Sequence, residues 1–192
     1  MLEVKRQCVH ALGVFIILLI QIFGKWIASL LLFFSLVFLF IFAEYRKRKH
    51  LFRISRPLEE IESIVENEIK SYERPYELPF KGAITFLLGS FLSVLIFKPY
   101  ASIAAIAVLA LADSISTLVG YYFGKHKLPI NKKKTWEGSF AFLIVALVIL
   151  SFFTLPLNAV LVAIIATLVE MLPKIDDNLT IPLIVGFFVS IS

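Results

Sequence analysis

The stretch Leu111–Ser139, LADSISTLVGYYFGKHKLPINKKKTWEGS, decides how this chain reads. It begins inside an apolar run that carries one acid, Asp113. It then opens into a loop holding Lys125, Lys127, Lys132, Lys133 and Lys134 with no acid among them, and re-enters apolar sequence just after Glu137 and Gly138. Apolar run, charged loop and apolar run is the pattern of consecutive membrane helices. An acid at lipid depth must face a cavity or a partner, and lysines act as point charges on phosphates. Together they point to a site for a metal-bound polyphosphate at a membrane surface.

Composition agrees with that frame. The 192 residues are 59% hydrophobic with mean hydropathy +0.90, whereas soluble domains average about 45–50% apolar. The expected fold is all-α: one domain over residues 1–192, built as a polytopic integral membrane helical bundle. The lone Cys8 excludes an internal disulfide framework. The net charge of +5 does not indicate a nucleic-acid partner, because the basic residues lie between apolar runs and no basic amphipathic helix with interleaved aromatics is present. The run Ala11–Phe23 has no small-x-small cleavage site after it and reads as a retained span, not a signal peptide.

Seven apolar segments can be counted, at roughly 9–24, 26–44, 79–97, 100–123, 138–155, 157–172 and 179–192. The first, sixth and seventh are shorter than the ~17 residues at the lower end of full spans. Seven transmembrane helices with a cytoplasmic N-terminus put 17 of the 19 Lys and Arg residues on the cytoplasmic side, leaving only Lys25 and Lys98 outside. Positive-inside bias is seldom so lopsided. The expected location is therefore a cell membrane, crossed several times, with the active site on the cytoplasmic face. The 45–78 region reads as a cytoplasmic insert. Within it, Ser55 and Pro57 open a helix whose Leu58, Ile61, Val65, Ile69 and Tyr72 form an apolar stripe, as in a helix lying on the bilayer.

Candidate site residues fall in three patches on that one side. Ser116, Thr117 and Gly120 follow Asp113 at i+3, i+4 and i+7, a small polar stripe on the acid's face. This suits a water-filled groove with a metal-binding carboxylate at its base. The 124–137 loop brings cations for a nucleoside triphosphate. Gly124 would allow close backbone approach, while Asn131, Thr135 and Glu137 add donors, acceptors and a possible ligand. The third patch holds Glu170, Asp176, Asp177 and Asn178. Two or three carboxylates suit Mg²⁺, which takes carboxylates together with substrate phosphates, although a plain helix N-cap would use the same residue types. His10, at the start of the first span, is a weaker candidate. No Walker loop, GxSxG, HExxH or paired-cysteine motif occurs.

These residues resemble a known family, the CTP-dependent polyprenol and phytol kinases, which also take in dolichol kinase and yeast-type diacylglycerol kinase. The resemblance rests on Lys5-Arg6 with His10 and Gly13; Asp113 with Ser116 and Thr117; Gly120 to Lys125; Lys134 to Ser139; and Glu170 followed by Ile175 to Pro182. It departs at Ala112, where the family usually has Gly before its first aspartate. The resemblance implies transfer of the γ-phosphoryl group of CTP to the hydroxyl of a membrane isoprenoid alcohol of the dolichol or polyprenol class. Asp113, Asp176 and Asp177 would then serve catalysis and, with Glu170, Mg²⁺. Lys125, Lys132, Lys133 and Lys134 would clamp phosphates, and Asn131, Thr135, Glu137 and Asn178 would shape the nucleotide site. Phytol, geranylgeraniol and diacylglycerol remain alternative acceptors. The Lys134-Thr135-Trp136-Glu137-Gly138 block also resembles phosphatidate cytidylyltransferase, a maker of CDP-lipids, although that family's C-terminal signature has no counterpart here. A transporter using Asp113 as a relay is a more remote alternative, and it leaves the lysine loop without a purpose.

Overall fold

The computed structural model describes His10 and residues 13–48, 80–172 and 176–192, with the side chains of 46–48 excepted. The interfacial helix expected within 45–78 lies outside the described residues. Those described form an all-helical bundle. Its elements are α1 (Val14–Arg48), α2 (Lys81–Ile96), α3 (Pro99–Ala107), α4 (Asp113–Phe123), α5 (Trp136–Leu150), α6 (Pro156–Glu170) and α7 (Asp177–Ile191). A π-helical turn, Val108–Ala112, joins α3 to α4.

The first element is a hairpin. Gly24 takes φ 76° and ψ 168°, a left-handed turn that only glycine adopts at no steric cost. The neighbours of α2 reveal the reversal. His10 meets Phe86 edge-on, Lys25 Nζ donates to the Phe97 carbonyl at 2.7 Å, Phe33 lies against Phe91, and Phe42 lies against Phe80. Partners on α2 therefore climb from residue 86 to 97 and then descend to 80, so the limbs 14–23 and 25–48 run in opposite directions. This is the break expected between the first two apolar segments.

The other elements alternate in the same way. α2 and α7 run parallel and close: a Cβ on Gly89 would sit 2.1 Å from the Asn178 carbonyl oxygen, and one on Gly186 would sit 2.4 Å from the Phe97 ring. Pro182 has no N–H, so the Asn178 carbonyl four residues earlier lacks its helical donor. Bare Gly89 lets α2 close over that carbonyl. α4 and α5 are antiparallel, with Gly120, Gly124 and Gly138 gathered around Thr135. Thr135 is the N-cap of α5, its hydroxyl accepting from the Gly138 amide at 3.2 Å. The core between the helices is built of small residues, among them Ala101, Ala104, Ala105, Ala110, Ala112, Ala159, Ala163 and Ala166, all fully buried.

The outer surface is apolar. On α6, Leu157, Leu161, Ile164 and Leu168 are exposed at helical spacing; on α5 and just beyond it, Phe140, Ile144, Val148 and Phe152 are exposed likewise. Soluble monomers rarely leave stripes of this extent bare, whereas hydrocarbon would cover them without cost. Val14–Tyr45 and Pro99–Phe123 have the length and apolar character to cross a membrane. Because the first doubles back at Gly24, its single-pass portion is residues 25–45, about 30 Å at 1.5 Å per residue. α2 has 16 residues and α5, α6 and α7 have 15 each, fewer than the ~20 of an ordinary span. The membrane-associated helical fold thus agrees with the sequence reading.

The tight α2–α7 approach gives a direct test. Gly89→Ala drives a methyl group onto a backbone oxygen that cannot swing aside, and overpacking of this kind costs ~1–3 kcal/mol or more. The expected result is a lower melting temperature in detergent micelles; an unchanged melt would mean the two backbones are not in contact.

Candidate active site

All three patches converge at one end of the bundle, and they meet at Lys134. Its Nζ donates to Glu170 Oε1 at 2.7 Å and to Asp177 Oδ2 at 2.5 Å, and it lies 4.0 Å from Asp113 Oδ1. The lysine comes from the loop before α5, and the carboxylates come from the start of α4, the end of α6 and the start of α7. Burial alone would weaken the ammonium's hold on its proton. Asp113, Asp177 and Glu170 outweigh that and hold its pKa above the ordinary lysine value, so it stays charged.

Each element delivers its side chain for a local reason. The π turn inserts an extra residue just before Asp113, which rotates α4 by about 100° relative to a regular continuation of α3. Such turns often mark functional positions. Asp113 is 8% exposed and Glu170 is 1% exposed. Glu170 is also fully satisfied: Oε1 accepts from Ser116 Oγ at 3.0 Å as well as from Lys134, and Oε2 accepts from Ser139 Oγ at 2.9 Å. Glu170, one of the acids expected to hold a metal, uses both oxygens to join two helices and the lysine.

The Asp176-Asp177 pair divides. Asp176 is the N-cap of α7, its side chain accepting from the Asn178 amide at 3.2 Å, the capping role its residue type allows. Asp177 turns into the site, where Oδ1 is buried with no hydrogen-bond partner. Asn178 faces the other way. Its Nδ2 donates to the Gly82 carbonyl at 3.3 Å and to Thr85 Oγ1 at 3.2 Å, tying α7 to the first turn of α2. His10 packs on the same turn, with Nε2 4.0 Å from where a Gly82 Cβ would stand.

The lysine loop is a folded unit. Lys127 and Thr135 form an antiparallel bridge, the Leu128 amide donates to the Lys134 carbonyl, and the Lys134 amide donates to the Asn131 carbonyl. Asn131, expected at the nucleotide, is buried and its Oδ1 accepts from the Lys133 amide, shaping the turn. Gly120 and Gly124 pack on Thr135, so their role here is helix contact. Glu137 Oε1 pairs with His126 Nδ1 at 2.7 Å on the exposed side of the loop. Lys125, Lys132 and Lys133 are exposed, apart from the buried cluster that Lys134 joins. Thr117 is half-buried next to the Ser116 that reaches Glu170.

Sequence reading assigns no site role to Ser139 or Thr85. Ser139 had a signal: it is the one hydroxyl between Gly138 and Ser151 in an otherwise apolar run. Thr85 had none, because its role comes from the packing of α2 against α7.

Among the described residues three carboxylates face this one ammonium, and Asp177 Oδ1 is buried without a hydrogen-bond partner. No three acidic or histidine side chains among them gather as a ready-made metal shell. The open Asp177 Oδ1 is an oxygen donor of the kind that Mg²⁺ takes.

A probable chloroplastic phytol kinase of Zea mays is 33% identical over 130 aligned positions, covering 57% of this chain and 43% of the maize protein. The chloroplastic phytol kinase 1 of Arabidopsis thaliana is 29% identical, covering 54% and 40%. Over just over half its length the chain is similar to phytol kinases. An uncharacterized protein of Methanocaldococcus jannaschii is 37% identical over 114 positions, covering 57% of this chain and 58% of that protein. The chain spans about half the length of the curated relatives it matches. No family model matches it, and no solved structure does. The kinship agrees with the resemblance read from Asp113, the Lys134–Ser139 block and the Asp176–Asn178 segment.

Glu170→Gln removes one member of a buried, hydrogen-bonded ion cluster, a change that usually costs ~3–5 kcal/mol. The variant should melt well below the parent in micelles. Glu137→Gln, at the exposed mouth of the loop, should shift stability by no more than about 0.5 kcal/mol. Equal melting temperatures for the two variants would contradict the geometry.

Proposed function

We propose that this chain is a CTP-dependent lipid kinase that phosphorylates the hydroxyl of an isoprenoid alcohol. One observation carries the reading: in a relative of the phytol kinases, Asp113, Lys134, Glu170 and Asp177 meet at one end of an apolar bundle. Kinship favours phytol or a similar alcohol as the first acceptor to test, with dolichol and longer polyprenols following the same chemistry. The resemblance to CTP-using kinases supports CTP as donor.

Phosphoryl transfer requires positioning and charge neutralisation more than covalent help from the protein. Mg²⁺, when bound, would neutralise the polyphosphate, and Asp113 and Asp177 would hold it. Asp177 Oδ1, buried and without a hydrogen-bond partner, would also receive the alcohol proton. Glu170 fixes Lys134 through its bonds to Ser116 and Ser139. Lys134 supplies positive charge at the transferring phosphate, and the exposed Lys125, Lys132 and Lys133 would draw the nucleotide to the loop. Asn131 and Thr135 would act by shaping the lysine loop, and Asp176 and Asn178 by setting the start of α7.

We also propose that the chain crosses the cell membrane seven times with its N-terminus and active site cytoplasmic. Support comes from the way the ends sort. The 124–135 loop, the end of α6, the start of α7 and His10 share the site end, while Lys25 and the Phe97-Lys98 turn share the other. Basic residues are therefore concentrated at the site end, as cytoplasmic loops are.

The test is incubation of the purified protein with CTP carrying label on the γ- or the α-phosphate and a panel of lipid alcohols. A kinase transfers only the γ-label; transfer of the α-label would make it a cytidylyltransferase. Asp113→Asn and Asp177→Asn should each reduce lipid phosphate formation by a factor of ~100 or more, the scale of losing one charge-stabilising group. Full activity in both would overturn the site assignment.

A further inference from the structure

Every tyrosine and tryptophan among the described residues is exposed, and each stands near the end of a helical segment. Trp26 follows the Gly24 turn and Tyr100 opens α3, both at the end away from the carboxylates. Tyr45, Tyr121, Tyr122 and Trp136 stand at the site end. Trp26 and Tyr45 are 19 residues apart on one helical limb, about 28 Å at 1.5 Å per residue. Tyr100 and Tyr121 are 21 residues apart along α3, the π turn and α4, about 31 Å. The hydrocarbon of a bilayer is ~30 Å thick, and Tyr and Trp collect at its two borders. Two separate helices thus mark the same thickness, and they set one border at the site end, at the level of Tyr45, Tyr121 and Trp136.

The 124–135 loop starts just past that border and is folded down onto the bundle. Leu128 and Asn131 are buried, Lys127 bridges Thr135, and the Trp136 amide donates to the His126 carbonyl. The headgroup layer outside the hydrocarbon is ~5–7 Å deep, a space that a loop held this low occupies. Its outer surface is of two kinds. Pro129 and Ile130 are exposed at the tip, Ile130 by 69%. Lys125, Lys127, Lys132 and Lys133 are exposed to either side of them. The one acid in 124–137, Glu137, is engaged by the His126 ring and amide, so the loop holds no acid for those four lysines.

We propose that the 124–135 loop lies flat on the membrane and binds the phosphates of anionic phospholipids, with Ile130 reaching the acyl border. An apolar tip set among lysines is the division of surface that interfacial segments use, and the lysines favour anionic over zwitterionic headgroups. Lipid also reaches the foot of the loop. The exposed stripe Phe152, Val148, Ile144 and Phe140 climbs α5 at four-residue spacing and ends on Trp136. This goes beyond the kinase reading and does not depend on it.

The experiment uses the full chain with Cys8→Ser and Ile130→Cys, labelled at position 130 with an environment-sensitive fluorophore. It is placed in nanodiscs of phosphatidylcholine alone or mixed with phosphatidylglycerol. No nucleotide is present, so CTP cannot supply the phosphate. A nitroxide carried on the lipid should quench the label. Acrylamide, a neutral quencher in the water, should reach it less well by a factor of roughly 2 or more when phosphatidylglycerol is present. Lys127→Gln, Lys132→Gln and Lys133→Gln together should abolish that difference. Equal access for acrylamide in both bilayers, no quenching by the nitroxide, or a difference that survives the three substitutions each overturns the proposal. Should the labelled chain melt below the parent, hydrogen exchange of the 125–133 amides in the unlabelled chain is the second measurement. Slower exchange in the anionic bilayer is expected, and equal rates overturn the proposal. Lipid phosphorylation is scored apart from all of this: its absence in a chain whose loop docks sinks the kinase alone, and its presence in a chain whose loop does not dock sinks the docking alone.

Discussion

The fold turns on one buried ammonium. Lys134 joins a loop to the carboxylates of three helices, and it does so largely out of water's reach. A buried charge is costly alone and a buried carboxylate cluster more so, so neither half of this arrangement is stable without the other. That mutual need fixes the loop's height against the bundle. It also explains why the helices carrying the acids meet at one end. The glycines around Thr135, the capped start of α5 and the serines on Glu170 all serve to draw α4, α5 and α6 together, so that the lysine preceding α5 reaches the acids of its neighbours.

Much of this could be read from the chain. The apolar segments, the breaks at Gly24 and at each loop, and the three patches were visible because hydrophobic runs and charged loops obey simple rules. An acid inside an apolar run is costly, so Asp113 identified itself. The triple lysine did not reveal which member turned inward, since Lys132, Lys133 and Lys134 have identical chemistry and only the turn made by Asn131 separates them. The adjacent aspartates were equally ambiguous. One caps a helix and the other faces the site, a difference set by the direction in which α7 starts. The π turn before Asp113 has no sequence signature in a run of Ala, Leu and Val. Its effect is a matter of helical phase, which periodicity cannot detect when every neighbour is apolar.

Glu170 changes the meaning of the cluster. A carboxylate with both oxygens occupied by hydroxyls and an ammonium is a fixture of the structure, whereas one with an open, buried oxygen is an invitation to a ligand. Asp177 is of the second kind. The two differ not in residue class but in what their neighbours leave unmet. This distinction divides the acids between holding the site and using it, and it assigns Ser116 and Ser139 a part that neither would have been given for its own chemistry.

The far end of the bundle is closed differently. There Lys25 reaches a main-chain oxygen at Phe97, and the ring of Phe97 lies on Gly186. This clasp sets one ammonium against a neutral acceptor and an aromatic plate, whereas the opposite end joins full charges of both signs. Among the described residues the side-chain carboxylates gather at the site end alone, so a divalent ion would find carboxylate ligands there and none at the clasp.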